Sequence, residues 1–237
     1  MLFQCSSRTL TDQQMDGEVP VACIMRHSIR LDGHPSYKPH QNAAWSDEEQ
    51  RPYDTPIADF ALPVAQAGVL ASFNLAIQMV YSSPFRRCLQ TAGQVCRHLG
   101  ITAIVVHYGL SESMFRVAQT KPKFGLTFLS CEEMQKELGE GVSIAAILGV
   151  PPVLSETVVE TKTRFQDTLR ELYRMQESAC QSFLAITHGE VVSESGSVYL
   201  RPEQTIYSVD ECGFVAVGKS GKVVASSKVE MFEGAMN

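Results

Sequence analysis

The chain has 237 residues, of which 44% are hydrophobic and 19% are charged; this composition excludes a disordered protein and fits one α/β domain. Its 20 Lys and Arg residues against 26 Asp and Glu residues give a net charge of −6, so no overall positive field favours nucleic acid or an anionic membrane. The seven cysteines argue against a disulfide scaffold, and no stretch has the apolar length of a signal peptide or membrane span. We therefore expect a cytoplasmic protein.

The domain organisation follows from polarity and proline content. Residues 1–18 are polar and aperiodic, which predicts a flexible N-terminal arm, and residues 19–237 are predicted to form a single domain. We expect two insertions in that domain, at about 31–56 and 113–152. The first contains four prolines and the single tryptophan, Trp45, and is predicted to be a long loop that contributes to substrate selection.

Hydrophobic periodicity predicts the elements of a layered fold. Four short apolar segments, 21–26, 79–82, 102–107 and 182–187, are typical of buried strands and are separated by helical sequence. Helices are predicted over 59–78, 83–99, 130–138 and 155–179, and a hairpin is predicted over 214–225. This order predicts a three-layer α/β/α sandwich with a mainly parallel sheet and an antiparallel edge.

Local signals predict where three of these helices begin. Ser83 is suited to the N-cap of the second helix with Pro84 in its first turn, and Ser130 with Glu133 forms a predicted capping box. Ser155 is predicted to cap the longest helix. Its buried stripe is expected to comprise Val158, Thr161, Phe165, Leu169, Leu172, Tyr173 and Met175.

Charged groups follow the first strand at the sheet edge where α/β proteins bind ligands. Arg26, His27 and Arg30 come at its carboxyl end. Two permanently charged guanidiniums beside an imidazole that can be neutral suit a phosphate group held next to a nitrogen nucleophile. Taken alone, such a cluster is also typical of a solvated strand end.

Three further residues are predicted to reach the same edge. Arg87 lies in the first turn of its helix, where the positive end of the helix dipole destabilises a cation by up to about 1 kcal/mol unless an anion is bound. This position therefore indicates a bound phosphate, and the alternative is that Arg86 and Arg87 are simply exposed to solvent. Glu112 lies just past the third strand, and His188 ends the fourth and precedes Gly189. The carboxyl ends of parallel strands thus bring together six residues that could bind and attack a phosphate.

The motifs resemble those of the histidine phosphatase, or phosphoglycerate mutase-like, superfamily. Arg26-His27-Ser28-Ile29-Arg30 is similar to its Arg-His-Gly signature, residues 82–92 to its second-arginine motif, and Thr187-His188-Gly189 to its second-histidine motif. Residues 51–57, together with Arg30 and Asp32, are more similar to the branch of ecdysteroid-phosphate phosphatases and T-cell-receptor-signalling suppressors than to glycolytic mutases.

The resemblance implies a phosphoglycerate mutase-like fold and a metal-independent histidine acid-type phosphatase without a cofactor. His27 would be the nucleophile that forms a phosphohistidine, and Glu112 would be the general acid and base, with a pKa raised by burial or neighbours. Arg26, Arg30, Arg87 and His188 would bind the phosphoryl oxygens. The substrate would be a phosphorylated small molecule or a phosphoprotein, and the oligomeric state stays open.

Two departures from the family pattern and two remaining alternatives accompany this interpretation. Ser28 replaces the usual glycine, and residues 57–60 differ at the entry to the next helix. A phosphoglycerate mutase and a non-catalytic phosphate-docking module remain alternatives. A cysteine phosphatase is excluded because six residues, not five, separate Cys23 from Arg30, and no P-loop pattern surrounds Gly218-Lys219-Ser220.

Overall fold

A computed structural model of the chain describes residues 21–33, 51–120 and 125–233. Within these ranges, seven strands form one sheet in the order β4-β3-β2-β5-β1-β6-β7. Strands β1 to β5 run parallel, whereas β6 is antiparallel to β1 and β7 is antiparallel to β6. The strands are β1 (Ala22–Arg26), β2 (Ile77–Ser82), β3 (Ala103–His107), β4 (Ser143–Leu148), β5 (Ser182–Thr187), β6 (Gln204–Val217) and β7 (Val223–Glu233).

Helices cover both faces of this sheet. They are α1 (Ala61–Ser72), α2 (Arg86–Leu99), α3 (Met114–Gln119), α4 (Cys131–Leu138), α5 (Val158–Ala179) and α6 (Gly189–Tyr199), with 3₁₀ turns at Leu31–Gly33 and Tyr108–Leu110. Because strand side chains alternate, Cys23 and Met25 of β1 pack in the core with α1, α2 and α4, whereas Ala22 and Ile24 pack with α5 and α6. The predicted three-layer sandwich with an antiparallel edge is confirmed.

The prediction of a helix over 59–78 is wrong at its carboxyl end. Helix α1 ends at Ser72, and Asn74 and Ala76 then adopt positive φ values of 52° and 49° before β2 begins at Ile77. The apolar residues after Ser72 suggested a longer helix, but they belong to a tight reversal and to a buried strand, which hydrophobicity alone does not separate.

Two predicted helix starts also need correction. Helix α2 begins at Arg86, and the Arg86 amide donates to the carboxylate of Asp54 (2.7 Å), so Ser83 is not its cap. Helix α5 begins at Val158, and Thr157 caps it in a capping box with Glu160, so Ser155 lies outside the helix. The capping box of Ser130 and Glu133 is confirmed. In the predicted α5 stripe, Val158 and Met175 are exposed, whereas Thr161, Phe165, Leu169 and Leu172 are buried.

The sequence did not predict β4 or α6, and it predicted only the inner part of the β6–β7 hairpin. Strand β4 lies within residues 113–152, which we expected to be an insertion, and its burial alternates because it is an edge strand. The N-terminal arm, most of the 31–56 loop and Trp45 lie outside the described residues. The six cysteines in the described ranges are free thiols, and none of the helices there is long and apolar enough to cross a membrane.

Candidate active site

Four chain segments bring their polar residues to the carboxyl edge of the parallel sheet. His27 follows β1, Arg87 lies in the first turn of α2 after β2, Glu112 follows β3 and its 3₁₀ turn, and His188 follows β5 at the start of α6. The two histidine rings meet edge to face with centroids 5.3 Å apart. The structure thus brings together residues that are 161 positions apart in sequence, as the strand order predicts.

A hydrogen bond to the backbone fixes the orientation of the His27 ring. Its ring is buried, and Nδ1 lies 2.7 Å from the carbonyl oxygen of Ser28. In the neutral ring that nitrogen donates its proton to the carbonyl, so the lone pair lies on Nε2. Burial lowers the pKa of His27 well below 6.5, and the positive charges of Arg87 and His188 lower it further. The unprotonated ring is therefore the stable form at neutral pH.

His188 is packed beside His27 with both of its nitrogens engaged. Its Nε2 lies 3.0 Å from the Ser83 hydroxyl, and its Nδ1 lies 3.2 Å from Glu112 Oε2. The Phe85 ring stacks edge to face against it with a centroid separation of 5.2 Å. Burial lowers the pKa of His188 to about 4, although the Glu112 carboxylate opposes this shift. Sequence reasoning had assigned Ser83 to a helix cap, whereas its hydroxyl orients this imidazole.

Arg87 is the buried cation at the centre of the cluster. Its guanidinium is 1% exposed, lies over the Phe85 ring, and donates to the carbonyl of Tyr53 (3.0 Å) and to Glu112 Oε2 (3.2 Å). The predicted alternative of a solvated Arg87 is excluded by this burial. An arginine buried at a helix N-terminus favours a bound anion.

Glu112 does not have the raised pKa that we expected. Burial alone would raise it, but the neighbouring charges of His188 and Arg87, with the hydrogen bond from His188, hold the pKa of Glu112 well below 4.5. The expectation is wrong for this arrangement because a carboxyl group that accepts a hydrogen bond from His188 and pairs with the Arg87 guanidinium is stabilised in its ionised form. A bound dianion that competes for Arg87 would weaken that stabilisation.

Arg26 and Arg30 line the same cavity as His27 but have carboxylate partners. Arg26 donates to the carbonyl of Val209 (2.7 Å) and pairs with Glu211 (2.9 Å). Arg30 donates to the carboxylate of Asp32 through Nε and Nη2. An anion in the cavity would therefore have to share these guanidiniums with the carboxylates of Glu211 and Asp32.

The cavity has a volume of about 560 Å³ and extends outward from His27 and Glu112. Its outer wall includes Phe115, Val158 and Tyr207, whose side chains are largely exposed. Sequence reasoning missed these residues. Their signal was weak because a single exposed apolar side chain on a helix or edge strand is common and indicates nothing by itself.

The charge of the cluster suits an anion rather than a cation. Ligand atoms of His27, Glu112 and His188 all lie within 4.8 Å of one another, a spacing that a metal ion could use. However, Arg87 Nη2 lies 3.2 Å from both Glu112 Oε2 and His188 Nδ1, so a metal there would meet a fixed positive charge. The donor set fits a phosphate oxyanion better than it fits a metal.

The departure at Ser28 is accommodated away from the cavity. Its hydroxyl donates to the carbonyl of Asp59 (2.9 Å), and its amide donates to Thr91 Oγ1 (3.0 Å). The hydroxyl hydrogen bond thus links the turn after β1 to the backbone at Asp59, just before α1. Cys23, the nucleophile of the excluded cysteine phosphatase, is buried within β1, and burial raises the pKa of its thiol.

A model of the histidine phosphatase superfamily (branch 1) matches residues 40–197. The chain belongs to this superfamily. The matched range contains Arg87, Glu112 and His188 but begins after His27, so the assignment of His27 depends on its geometry. No curated protein matches the sequence of this superfamily member.

Three solved structures are similar to this superfamily member in fold. The ecdysone phosphate phosphatase of Bombyx mori, in complex with tungstate, has a TM-score of 0.69 at 18% identity, covering 92% of this chain and 95% of that one. A mycobacterial glucosyl-3-phosphoglycerate phosphatase has a TM-score of 0.50 at 14% identity, covering 90% and 97%. A phosphoglycerate mutase from Bacillus anthracis str. Sterne has a TM-score of 0.50 at 15% identity, covering 91% and 94%. These likenesses confirm the phosphoglycerate mutase-like fold.

Proposed function

We propose that this histidine phosphatase superfamily member is a phosphomonoester hydrolase that acts through a phosphohistidine on His27. The observation that carries the proposal is the buried, unprotonated ring of His27, which lies beside the buried Arg87 with its ring centroid 5.3 Å from that of His188. Among the residues that the structure describes, none forms a hydrogen bond with His27 Nε2. This combination supplies a nucleophile and permanent positive charge at the same edge of the sheet.

Binding of the phosphoryl group would be shared by the cations of the cluster. Arg26, Arg30 and Arg87 would contact its oxygens, together with His188, and would neutralise the charge that develops in the transition state. The positive charge supplied by the guanidiniums means that no metal or other cofactor is required. The fixed position of Arg87 against Tyr53 and Phe85 supports this role, because a preorganised donor does not have to reorient during the reaction.

Hydrolysis would occur in two displacements. In the first, His27 Nε2 attacks phosphorus, the bond from phosphorus to the ester oxygen breaks, and the Glu112 carboxyl group transfers its proton to the leaving oxygen. In the second, water attacks phosphorus, the Glu112 carboxylate accepts a proton from that water, and the bond from Nε2 to phosphorus breaks. Inorganic phosphate is released and His27 is regenerated.

Protonation of Glu112 for the first step would depend on the substrate. Its low pKa comes from the charges of His188 and Arg87. A phosphate dianion shares those charges and adds negative charge of its own, and both effects raise the pKa of a nearby carboxyl group. Glu112 would therefore take up its proton with the substrate.

The form of the cavity supports a phosphorylated small molecule or a phosphoprotein as substrate rather than a small acid. A mutase must retain its released product and return the phosphoryl group to it, which favours a closed and highly polar site. Here the outer wall carries the exposed aromatic side chains of Phe115 and Tyr207. The similar protein from Bombyx mori is an ecdysone phosphate phosphatase.

The test is release of inorganic phosphate from p-nitrophenyl phosphate by the unmodified protein and by His27→Ala. The proposal expects hydrolysis by the unmodified protein and loss of it in the variant. Phosphoryl transfer between the hydroxyls of a phosphoglycerate without free phosphate would identify a mutase. Tight binding of inorganic phosphate without any turnover would identify a phosphate-docking module, and either result would overturn the proposal.

A further inference from the structure

Arg164 of α5 binds the backbone of the loop that carries Glu112. Its Nη1 donates to the carbonyl oxygens of Gly109 and Ser111, both at 3.0 Å, and its Nη2 donates to the carbonyl oxygen of Glu112 at 3.1 Å. One side chain thus satisfies three carbonyl groups within four consecutive residues. A loop whose backbone carbonyl groups are not paired in a helix or sheet depends on such contacts to hold one conformation.

Glu156 fixes the guanidinium of Arg164 from the opposite side. Arg164 Nε and Nη2 donate to the two carboxylate oxygens of Glu156, each at 2.8 Å, and Glu156 also accepts from the Thr161 hydroxyl at 2.8 Å. The side chains of Arg164 and Glu156 are only 13% and 9% exposed. A guanidinium has five N–H donors, and all five are used here, two on Glu156 and three on the loop.

The same loop is packed tightly against α5 at Gly109. A Cβ atom at this position would lie 2.0 Å from the Thr168 hydroxyl oxygen, so only glycine allows this approach. Thr168 lies on α5, one turn after Arg164. The helix therefore fixes the loop both by contact and by hydrogen bonds, immediately before the Glu112 carboxylate enters the cavity.

We propose that Arg164 is the positioning residue for the general acid and base Glu112, with Glu156 as the group that orients Arg164. This inference rests on the proposed function. Arg164 uses all of its donors on backbone carbonyl groups and on Glu156, so it would not touch the substrate. Its role is to keep the Glu112 carboxyl group at the distance from the ester oxygen that proton transfer requires, where displacement by about 1 Å can cost on the order of a hundredfold in rate.

A positioning role makes a prediction that a purely structural role does not make. Proton donation by a general acid contributes about 10²–10⁴-fold to a reaction that needs it. p-Nitrophenol is a good leaving group and departs with little help from an acid, whereas phenol is a poor one and needs the proton. Loss of Glu112 alignment must therefore slow phenyl phosphate hydrolysis more than p-nitrophenyl phosphate hydrolysis.

The experiment compares kcat/KM of the full chain for these two esters in Arg164→Lys, Glu156→Gln and a control. Lysine keeps the positive charge beside Glu156 but cannot reach three carbonyl groups and a carboxylate together. Arg170→Lys is the matched control, because Arg170 lies on the same helix, is exposed, and contacts only Asp167 and Gln166 among the described residues. Melting temperatures of all variants report their folding.

The expected result is a fall of at least about tenfold in the ratio of phenyl to p-nitrophenyl phosphate kcat/KM for Arg164→Lys and Glu156→Gln. Arg170→Lys should keep the ratio of the unmodified protein. In a Glu112→Gln background, Arg164→Lys should produce no further change in that ratio, because the two changes act through the same carboxyl group.

An equal loss of kcat/KM for both esters would overturn the inference, since it would show that Arg164 only supports the fold. A further fall of the ratio in the Glu112→Gln background would also overturn it. If Arg164→Lys does not fold, the ratio in Glu156→Gln decides between the same outcomes. Absence of hydrolysis by the unmodified protein is a separate result, which overturns the proposed function and this inference with it.

Discussion

Replacement of Arg87 by methionine tests whether the charge of Arg87 stabilises the Glu112 carboxylate and binds an anion. Methionine has a similar length and fills the space against Phe85, but it cannot donate to Tyr53 or to Glu112. The Arg87→Met protein retains a largely buried Glu112 carboxylate, with contacts to His188 and to the Ser113 amide but without its permanently charged partner. Removing one partner of a buried ion pair costs about 3–5 kcal/mol in the free energy of unfolding.

That magnitude is measurable in a protein of this length. For domains of 150–250 residues, each kcal/mol lowers the melting temperature by about 2–4 °C, so a decrease of about 6–20 °C is expected at pH 7. The pKa of Glu112 lies well below 4.5 in the folded protein, so the stability that it contributes is present above its unfolded pKa. In Arg87→Met the contribution of Arg87 to that depression is lost while burial still raises the pKa of Glu112, so the carboxyl group should take up a proton at higher pH than in the unmodified protein. The stability difference from the unmodified protein should therefore shrink as the pH falls from 7 to 5.

The assay is urea denaturation of both proteins at pH 7 and pH 5, with Arg87→Met/Glu112→Gln as the matched control. The double variant has no carboxyl group at position 112 to protonate, so it should recover part of the lost stability at pH 7 and lack the part of the pH dependence that Glu112 contributes. Vanadate, a phosphate-like oxyanion, should bind the Arg87→Met protein at least about tenfold more weakly. A stability difference below about 1 kcal/mol between Arg87→Met and the unmodified protein at pH 7 would refute the reasoning, because an exposed ion pair contributes no more than that. Unchanged vanadate affinity of the Arg87→Met protein would also refute it.

Three further outcomes follow from the same geometry. Because burial and Arg87 lower the pKa of His27 well below 6.5, kcat/KM for p-nitrophenyl phosphate should show no loss from protonation of this ring between pH 7 and pH 5.5. A fall of kcat/KM with a midpoint near pH 6.5 that His27 controls would contradict this prediction. Ser28→Gly removes the hydrogen bond to the Asp59 carbonyl and the contact with the Cys212 thiol, so it should cost about 1–2 kcal/mol of stability without loss of hydrolysis. An inactive folded variant would contradict the placement of this side chain. Prolonged treatment with a chelator should leave the rate of hydrolysis unchanged, because Arg87 supplies the charge that a metal would; restoration of a lost rate by added metal would show otherwise.

Sequence reasoning predicted the parallel core of the fold because its signals are local. The short apolar segments of β1, β2, β3 and β5 each end in polar residues, and parallel strands bring such ends to one edge. Strand β4 was missed because an edge strand alternates between exposed and half-buried residues and carries no continuous apolar run. The end of α1 was misplaced because Asn74 and Ala76 break a helix by their backbone conformation, which hydrophobicity does not report.

The sequence predicted which side chains meet at this edge of the sheet but not the electrostatics of the cluster. The positions of His27, Arg87, Glu112 and His188 follow from strand ends, whereas the pKa of Glu112 depends on which cations lie within about 3 Å of it. Sequence spacing carries no such distances. For the same reason the sequence does not distinguish a serine that caps a helix from one that hydrogen-bonds to His188, as Ser83 does. It also does not predict that Arg164 of α5 donates to the backbone of the Glu112 loop.

The most direct test of the account is chemical identification of the phosphorylated residue during turnover. The unmodified protein is mixed briefly with labelled p-nitrophenyl phosphate, quenched in base, digested, and analysed by mass spectrometry for the modified peptide. The account predicts an acid-labile, base-stable phosphate on His27, and none in His27→Ala. Turnover that leaves no label on His27, or a label on another residue, would contradict it.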